Sequence, residues 1–410
     1  MKQKPKICSR RDFFKTTGAV GVGALLSPLA NSAQAREVDR LLASKDAKVP
    51  TRPFGKSGID VSILSLGGMF DISANQIMLK QALRWGVTYW DTADCYNRGS
   101  EAGIGKYFER HPQEREKVFL VSKSDAREPD GISRLLDRSL ARMNTTYIDL
   151  YFIHGISSIN ELNDQTRRWA AKAKAQKKIR LFGFSTHSNM EQLLFDAAKL
   201  DYIDGIMMTY NYRNMQTRKM RDAVDACVKA GIGLTAMKTQ AERSWFNLGK
   251  ESKLGDELAA RFMKKGLTQE QARLKAVWTD RRISSLCSQM PSMNLLKANV
   301  AAAVNPETLS STDMQLLQQY AQETSDQYCT GCGQICETAV GRRAPVSDIM
   351  RYHMYCQSYG RADWARAQFG TLSPKVRHRL KSIDFSTAEA RCPQHMPIAR
   401  LMRQALEDFS

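Results

Sequence analysis

The sequence predicts an α/β fold: a parallel (β/α)8 TIM barrel followed by a small helical segment rich in cysteine. Short apolar runs alternate with amphipathic segments through residues 51–303, and eight β-then-α units are what a closed parallel barrel requires. From Pro306 onward the strand-like runs stop, helical patterns continue, and cysteines gather. A chain of 410 residues is long enough for a barrel with an appendage.

In chain order, residues 1–35 read as an export signal and the polar residues 36–50 as a linker. Residues 51–62, with Gly55 and Gly58, suit a hairpin that closes the bottom of the barrel. The eight strands are expected at 63–66, 88–90, 118–122, 150–153, 181–184, 205–208, 233–237 and 283–287. Helical periodicity is clearest at 76–85, 133–143, 190–200, 215–230 and 269–279. Residues 240–268 form a charged insertion after the seventh strand, on the side where barrel active sites lie. Residues 304–410 make the appended segment.

Ser9-Arg10-Arg11-Asp12-Phe13-Phe14-Lys15 precedes an uncharged stretch from Thr16 to Ala30 and then Ala33-Gln34-Ala35. This is the pattern of a twin-arginine signal cut after Ala35, and the stretch is short for a membrane span. The expected location is the periplasm, reached already folded with the twin-arginine translocase as a transient partner. The formal charge is +19, or +14 beyond residue 35, spread without a dense basic run. It suits anionic surfaces, acidic redox partners or acidic substrates, a solvated basic surface being the plainer reading, and nucleic acid is not expected.

Polar residues that an apolar barrel does not need stand where strands end. Asp91 lies in W-D-T-A-D-C-Y, Tyr96 follows five positions on, Lys123 ends F-L-V-S-K, and His154 ends L-Y-F-I-H. Converting a carbonyl to an alcohol needs an acid at the oxygen, and a phenol serves if an ammonium lowers its pKa. Lys123 can do that for Tyr96, Asp91 can hold the lysine, and His154 can orient the carbonyl. Each residue alone also has a structural reading: a barrel-top ion pair, a rim aromatic, a core histidine.

Taken together these motifs resemble the aldo/keto reductase superfamily, whose tetrad is Asp, Tyr, Lys and His at these strand ends. The resemblance covers roughly residues 51–303 and includes G-F-S-T-H after strand five and A-M-K-T-Q after strand seven. It implies a small carbonyl or alcohol substrate. It also implies a nicotinamide site at Ser185, Thr186, Tyr210 and Asn299, with Tyr210 as the stacking face. The family's Ser-Asn reads Ser185-Thr186 here, and its Gln reads Met207. Its 2′-phosphate clamp aligns with Gln289-Met290 and Leu295 and has no positive charge, so NADPH is disfavoured and a tightly bound nicotinamide nucleotide is the alternative.

Cys329, Cys332 and Cys336 stand as C-T-G-C-G-Q-I-C, and Cys392 precedes Pro393. In ferredoxins with two clusters, three such cysteines hold one cluster and a Cys-Pro from the other half completes it. The segment resembles the ferredoxin-like tail of a subset of aldo/keto reductases, through R-Y-H-M-Y-C-Q-S-Y-G at 351–360 and C-P-Q-H-M-P-I. The ligands of a second cluster are missing, which leaves Cys329, Cys332, Cys336 and Cys392 for one 4Fe-4S cluster. Zinc or disulfides are the alternatives, and Cys356 could replace a ligand. Cys95, Cys227 and Cys287 read as free buried thiols.

The expected protein is an exported oxidoreductase with a redox partner at or near the membrane. The rival expectation is an electron-transfer or binding protein with a residual barrel.

Overall fold

The computed structural model describes residues 38–43, 47–96, 99–241, 252–357 and 360–409. Residues 1–35, expected to be an export signal, and part of the insertion after the seventh barrel strand lie outside the described residues. The chain divides into two compact units, one of Glu37–Gln240 with Glu257–Gln318 and one of Ala241–Asp256 with Gln319–Ser410. The barrel-bearing unit thus runs past the expected edge at 303.

That unit opens with an antiparallel hairpin, β1 (Thr51–Pro53) and β2 (Asp60–Ser62). The strands β3 (Leu64–Gly67), β4 (Tyr89–Asp91), β5 (Phe119–Ser124), β6 (Ile148–Ile153), β7 (Ile179–Thr186), β8 (Gly205–Thr209), β9 (Gly233–Met237) and β10 (Ser285–Gln289) follow. All are parallel, each pairs with the next, and β10 pairs with β3 to close the barrel. All eight expected strands are present.

The strands read as almost unbroken apolar runs because both faces are covered. Alternation survives inside them. Tyr89, Phe119, Val121, Leu150, Phe152, Leu181 and Met207 fill the barrel interior, whereas Trp90, Leu120, Tyr151, Phe182, Ile206 and Met208 pack outward. Phe54, just after the hairpin's first strand, plugs the floor with no exposed surface. Gly205 and Gly233 make room for it: a Cβ on Gly233 would lie 2.5 Å from the Phe54 ring.

The outer layer includes α1 (Gln76–Arg84), α2 (Ser100–Arg110), α3 (Pro129–Arg142), α4 (Asp164–Ala175), α5 (Met190–Ala197) and α6 (Arg218–Lys229). After β9 come α7 (Lys253–Lys264) and α8 (Gln269–Trp278), then α9 (Met293–Val304) after β10 and α10 (Ser311–Glu323). Short polar side chains start several of these where free N–H groups need acceptors. Asn163 caps α4, Thr217 caps α6, and Thr268 forms a reciprocal capping box on α8. The insertion is therefore partly helical. Its helix α7 is pinned by Asp313 of α10, which accepts from Arg261 at 2.5 Å and Lys265 at 2.8 Å.

The second unit is helical, with α11 (Gly333–Ala339), α12 (Val346–Gln357), α13 (Ala362–Thr371), α14 (Pro374–Arg379), α15 (Ser386–Ala390) and α16 (Ile398–Phe409). His353 is fully buried, donates through Nε2 to the Leu401 carbonyl at 2.8 Å, and packs on Phe409. No described helix is long and apolar enough to cross a membrane.

Candidate functional site

The C-terminal ends of β4, β5 and β6 are adjacent, and they gather the four strand-end residues. Asp91 ends β4 and Lys123 lies in β5, 3% and 1% exposed. Lys123 Nζ donates to Asp91 Oδ1 at 2.6 Å and to the Thr92 carbonyl at 2.7 Å. It also lies 3.4 Å from the Tyr96 hydroxyl and 4.9 Å from that ring's centre. The His154 ring, just past β6, meets the Tyr96 ring edge-on at 6.0 Å.

Burial pushes the Asp91 carboxyl above its ordinary range, opposed by the Lys123 ammonium. Burial pushes the His154 imidazole down, with Asp125 opposing, so the ring is neutral near pH 7. Its Nδ1 lies 2.8 Å from Asp125 Oδ1 and 3.3 Å from Cys95 Sγ. A carboxylate only accepts, so Nδ1 carries the proton and Nε2 presents a lone pair. Arg127 steadies this corner by donating to the His154 carbonyl at 2.9 Å and to Glu161 at 2.6 Å.

Sequence reasoning missed two members of this group. Asp125 stands two residues after Lys123, and Cys95 immediately precedes Tyr96. Their place beside strand ends was the available signal. Cys95 was expected to be a buried thiol; it is exposed, because it sits in the loop after β4 rather than in the strand. Desolvation around its sulfur and the Asp125 carboxylate hold that thiol protonated, above its ordinary range. Cys227 is a buried thiol as expected, whereas Cys287 is half-buried and packs against the barrel interior.

The expected nicotinamide residues do not fare alike. Ser185, in β7, accepts from the Gly155 N–H at 3.0 Å. Asn299, in α9, donates to Ser288 Oγ at 2.9 Å. Thr186 is taken up by backbone: its hydroxyl lies 2.8 Å from both the Ile156 and Ser188 carbonyls. Tyr210 corrects the stacking expectation. Its ring has no exposed surface, belongs to the core outside the strands, and donates its phenol proton to Asp280 at 2.6 Å. The apolar ring is held outward and offers no face to the barrel mouth.

In the second unit Cys329, Cys332, Cys336 and Cys392 line one cavity, together with Val346, Met350 and Ile398. Cys356 is buried but is not among the residues lining it. Desolvation and the neighbouring sulfurs raise the Cys329 thiol, and desolvation with Glu337 pushes Cys336 up to about 12.

The fold is of the closed parallel (β/α)8 barrel class, with Asp91, Tyr96, Lys123 and His154 clustered at the ends of successive strands. The Aldo/keto reductase family model matches residues 64–317, and the chain belongs to that family. It is 31% identical over 176 residues to the uncharacterized oxidoreductase YqkF of Bacillus subtilis, covering 39% of this chain and 56% of that one. Against the aldo-keto reductase yakc [NADP(+)] of Schizosaccharomyces pombe it is 32% identical over 156 residues, covering 33% and 45%. The chain thus spans about half the length of these two relatives. A solved thermostable aldo-keto reductase superposes with a TM-score of 0.55 at 25% identity, covering 66% of this chain and 99% of that one. The holo aldo-keto reductase of Bacillus halodurans, with a TM-score of 0.54 at 22% identity and covering 66% and 96%, shares the fold.

Proposed function

We propose that the chain is an exported oxidoreductase that interconverts a small carbonyl compound and its alcohol, and that carries one 4Fe-4S cluster. The observation that carries the first part is the Lys123 ammonium, locked on Asp91 yet 3.4 Å from the Tyr96 hydroxyl. A cation there stabilises the phenolate, so Tyr96 can give a proton to a carbonyl oxygen and recover it in the reverse direction. His154 Nε2, an acceptor in this tautomer, holds the hydroxyl of an alcohol. A nicotinamide nucleotide, when bound, supplies or takes the hydride, with Ser185 and Asn299 as the polar contacts that remain for it.

Cys329, Cys332, Cys336 and Cys392 would hold the cluster, whose chemistry is one-electron transfer. Their donor set and shared cavity support this. Export in folded form, after cluster insertion in the cytoplasm, fits the twin-arginine pattern, and a periplasmic or membrane electron partner would follow.

A second reading is an electron-transfer or binding protein whose barrel no longer turns over. The engagement of Thr186 and Tyr210 elsewhere favours it. Anaerobically purified protein, analysed for iron, sulfide and bound nucleotide and assayed on carbonyl substrates, separates the two. Under the proposal there are four irons per chain, and Tyr96→Phe lowers turnover by about 10²–10⁴-fold with the cluster intact. Turnover unchanged in Tyr96→Phe sinks the reductase reading.

A further inference from the structure

We propose that Cys95, Asp125 and His154 form a binding site for a divalent transition metal, best suited to zinc, at the rim of the barrel. The three ligands come from the ends of three neighbouring strands: the loop after β4, the residue after β5 and the residue after β6. Their ligand atoms, Sγ, a carboxylate oxygen and Nδ1, all lie within 4.8 Å of one another. Thiolate, carboxylate and imidazole are the three donor types that zinc takes, and three protein ligands with an open fourth position is the pattern of its reactive sites.

The fit is close. Tetrahedral zinc at its usual bond lengths would set nitrogen and oxygen about 3.4 Å apart and nitrogen and sulfur about 3.6 Å apart. The observed separations are 2.8 Å and 3.3 Å, so an ion needs only a small outward shift of each ligand. That shift is available, because Cys95 is exposed and the Asp125 side chain is 56% exposed. His154 is 18% exposed and its backbone is held by Arg127, which gives the site one fixed ligand and two adjustable ones.

The charge balances as well. A divalent cation displaces the Cys95 thiol proton, and thiolate plus carboxylate then neutralise it. The proton on His154 Nδ1 moves to Nε2, so the imidazole stays neutral and one proton is released per ion. Metal binding therefore exchanges the roles of the two ring nitrogens. Nε2, an acceptor without the ion, becomes a donor with it, and a donor polarises a carbonyl oxygen where an acceptor holds a hydroxyl. Only this last consequence rests on the reductase reading; the site itself does not.

The test uses the full chain with its cysteine segment intact. Zinc-loaded protein is dialysed to equilibrium and metal per chain is compared for wild type, Cys95→Ser and Asp125→Asn, so that metal held by Cys329, Cys332, Cys336 and Cys392 cancels. Wild type should hold one zinc more than Cys95→Ser, and Asp125→Asn should weaken that zinc at least about tenfold, which is what loss of even an outer-shell partner costs. With cobalt as probe, the wild-type-minus-variant spectrum should show thiolate-to-cobalt charge transfer. If Cys95→Ser fails to fold, Asp125→Asn, which changes an exposed side chain, carries the comparison alone. Equal zinc content and equal cobalt spectra in all three proteins would overturn the site. Because metal content is read rather than turnover, this result stands apart from that of Tyr96→Phe.

Discussion

The Asp91 and Lys123 charges lie almost fully out of water and depend on each other. Removing one partner of such a pair costs about 3–5 kcal/mol, whereas removing both restores much of the loss. Lys123→Met should therefore be less stable than wild type by that amount in chemical denaturation. Asp91→Asn combined with Lys123→Met should regain part of it; a double variant as unstable as the sum of the singles would contradict the pairing. Tyr210 gives an opposite kind of test, because its phenol serves the fold. Tyr210→Phe should cost about 1–2 kcal/mol through the lost bond to Asp280 and leave nicotinamide affinity unchanged. A tenfold loss of that affinity would return Tyr210 to the cofactor. The sequence displayed Asp91, Tyr96, Lys123 and His154 because each interrupts or follows an apolar strand. It could not display the fate of Tyr210, since a tyrosine after a strand points in or out according to the local turn.

At the scale of elements, α8 carries a lysine inside its packing. Lys275 is 8% exposed, its ammonium donates to the Asn305 carbonyl, and burial lowers it to about 8, with Glu307 opposing. An unfolded lysine titrates at about 10.4, so between these values the unfolded chain binds more protons and stability rises with pH. Below about 8 the folded chain carries the whole cost of burying the ammonium. Lys275→Met should thus raise the melting temperature at pH 7, by less than that full amount because a hydrogen bond is also lost. The gain should fade toward pH 10.5. A difference between the two proteins that is constant with pH would rule this out. The strands were legible because eight apolar runs recur with β-then-α spacing. Helix α7 was not, since its charged face blended with the polar insertion around it, and only pairing with Asp313 shows where the helix is tied down.

For the whole molecule, the proposal of an exported cluster protein requires the cofactor to be inserted before translocation. Replacing Arg10 and Arg11 by lysine should keep the protein in the cytoplasm with its iron still bound, as read by cell fractionation and iron analysis. Periplasmic recovery of the Lys-Lys variant at the wild-type level would remove the twin-arginine route from the account. The two compact units carry different features. One bears the family's barrel and its strand-end cluster, and the other bears the four cysteines.

The sequence alone determined the barrel, its strand order and the strand-end tetrad, because burial on both faces and short crossovers leave period and order visible in the chain. It also marked Cys329, Cys332, Cys336 and Cys392 by their spacing, and the fold gathers them around one cavity. Tertiary structure alone decided which neighbours each polar atom meets. It turned Tyr210 outward onto Asp280 and took up the Thr186 hydroxyl with backbone carbonyls. It also brought Cys95 and Asp125 to the same nitrogen of His154. Those contacts join residues 29 to 70 positions apart, wherever long-range partners are involved, and hydrogen bonding at a few ångströms leaves no period in a sequence.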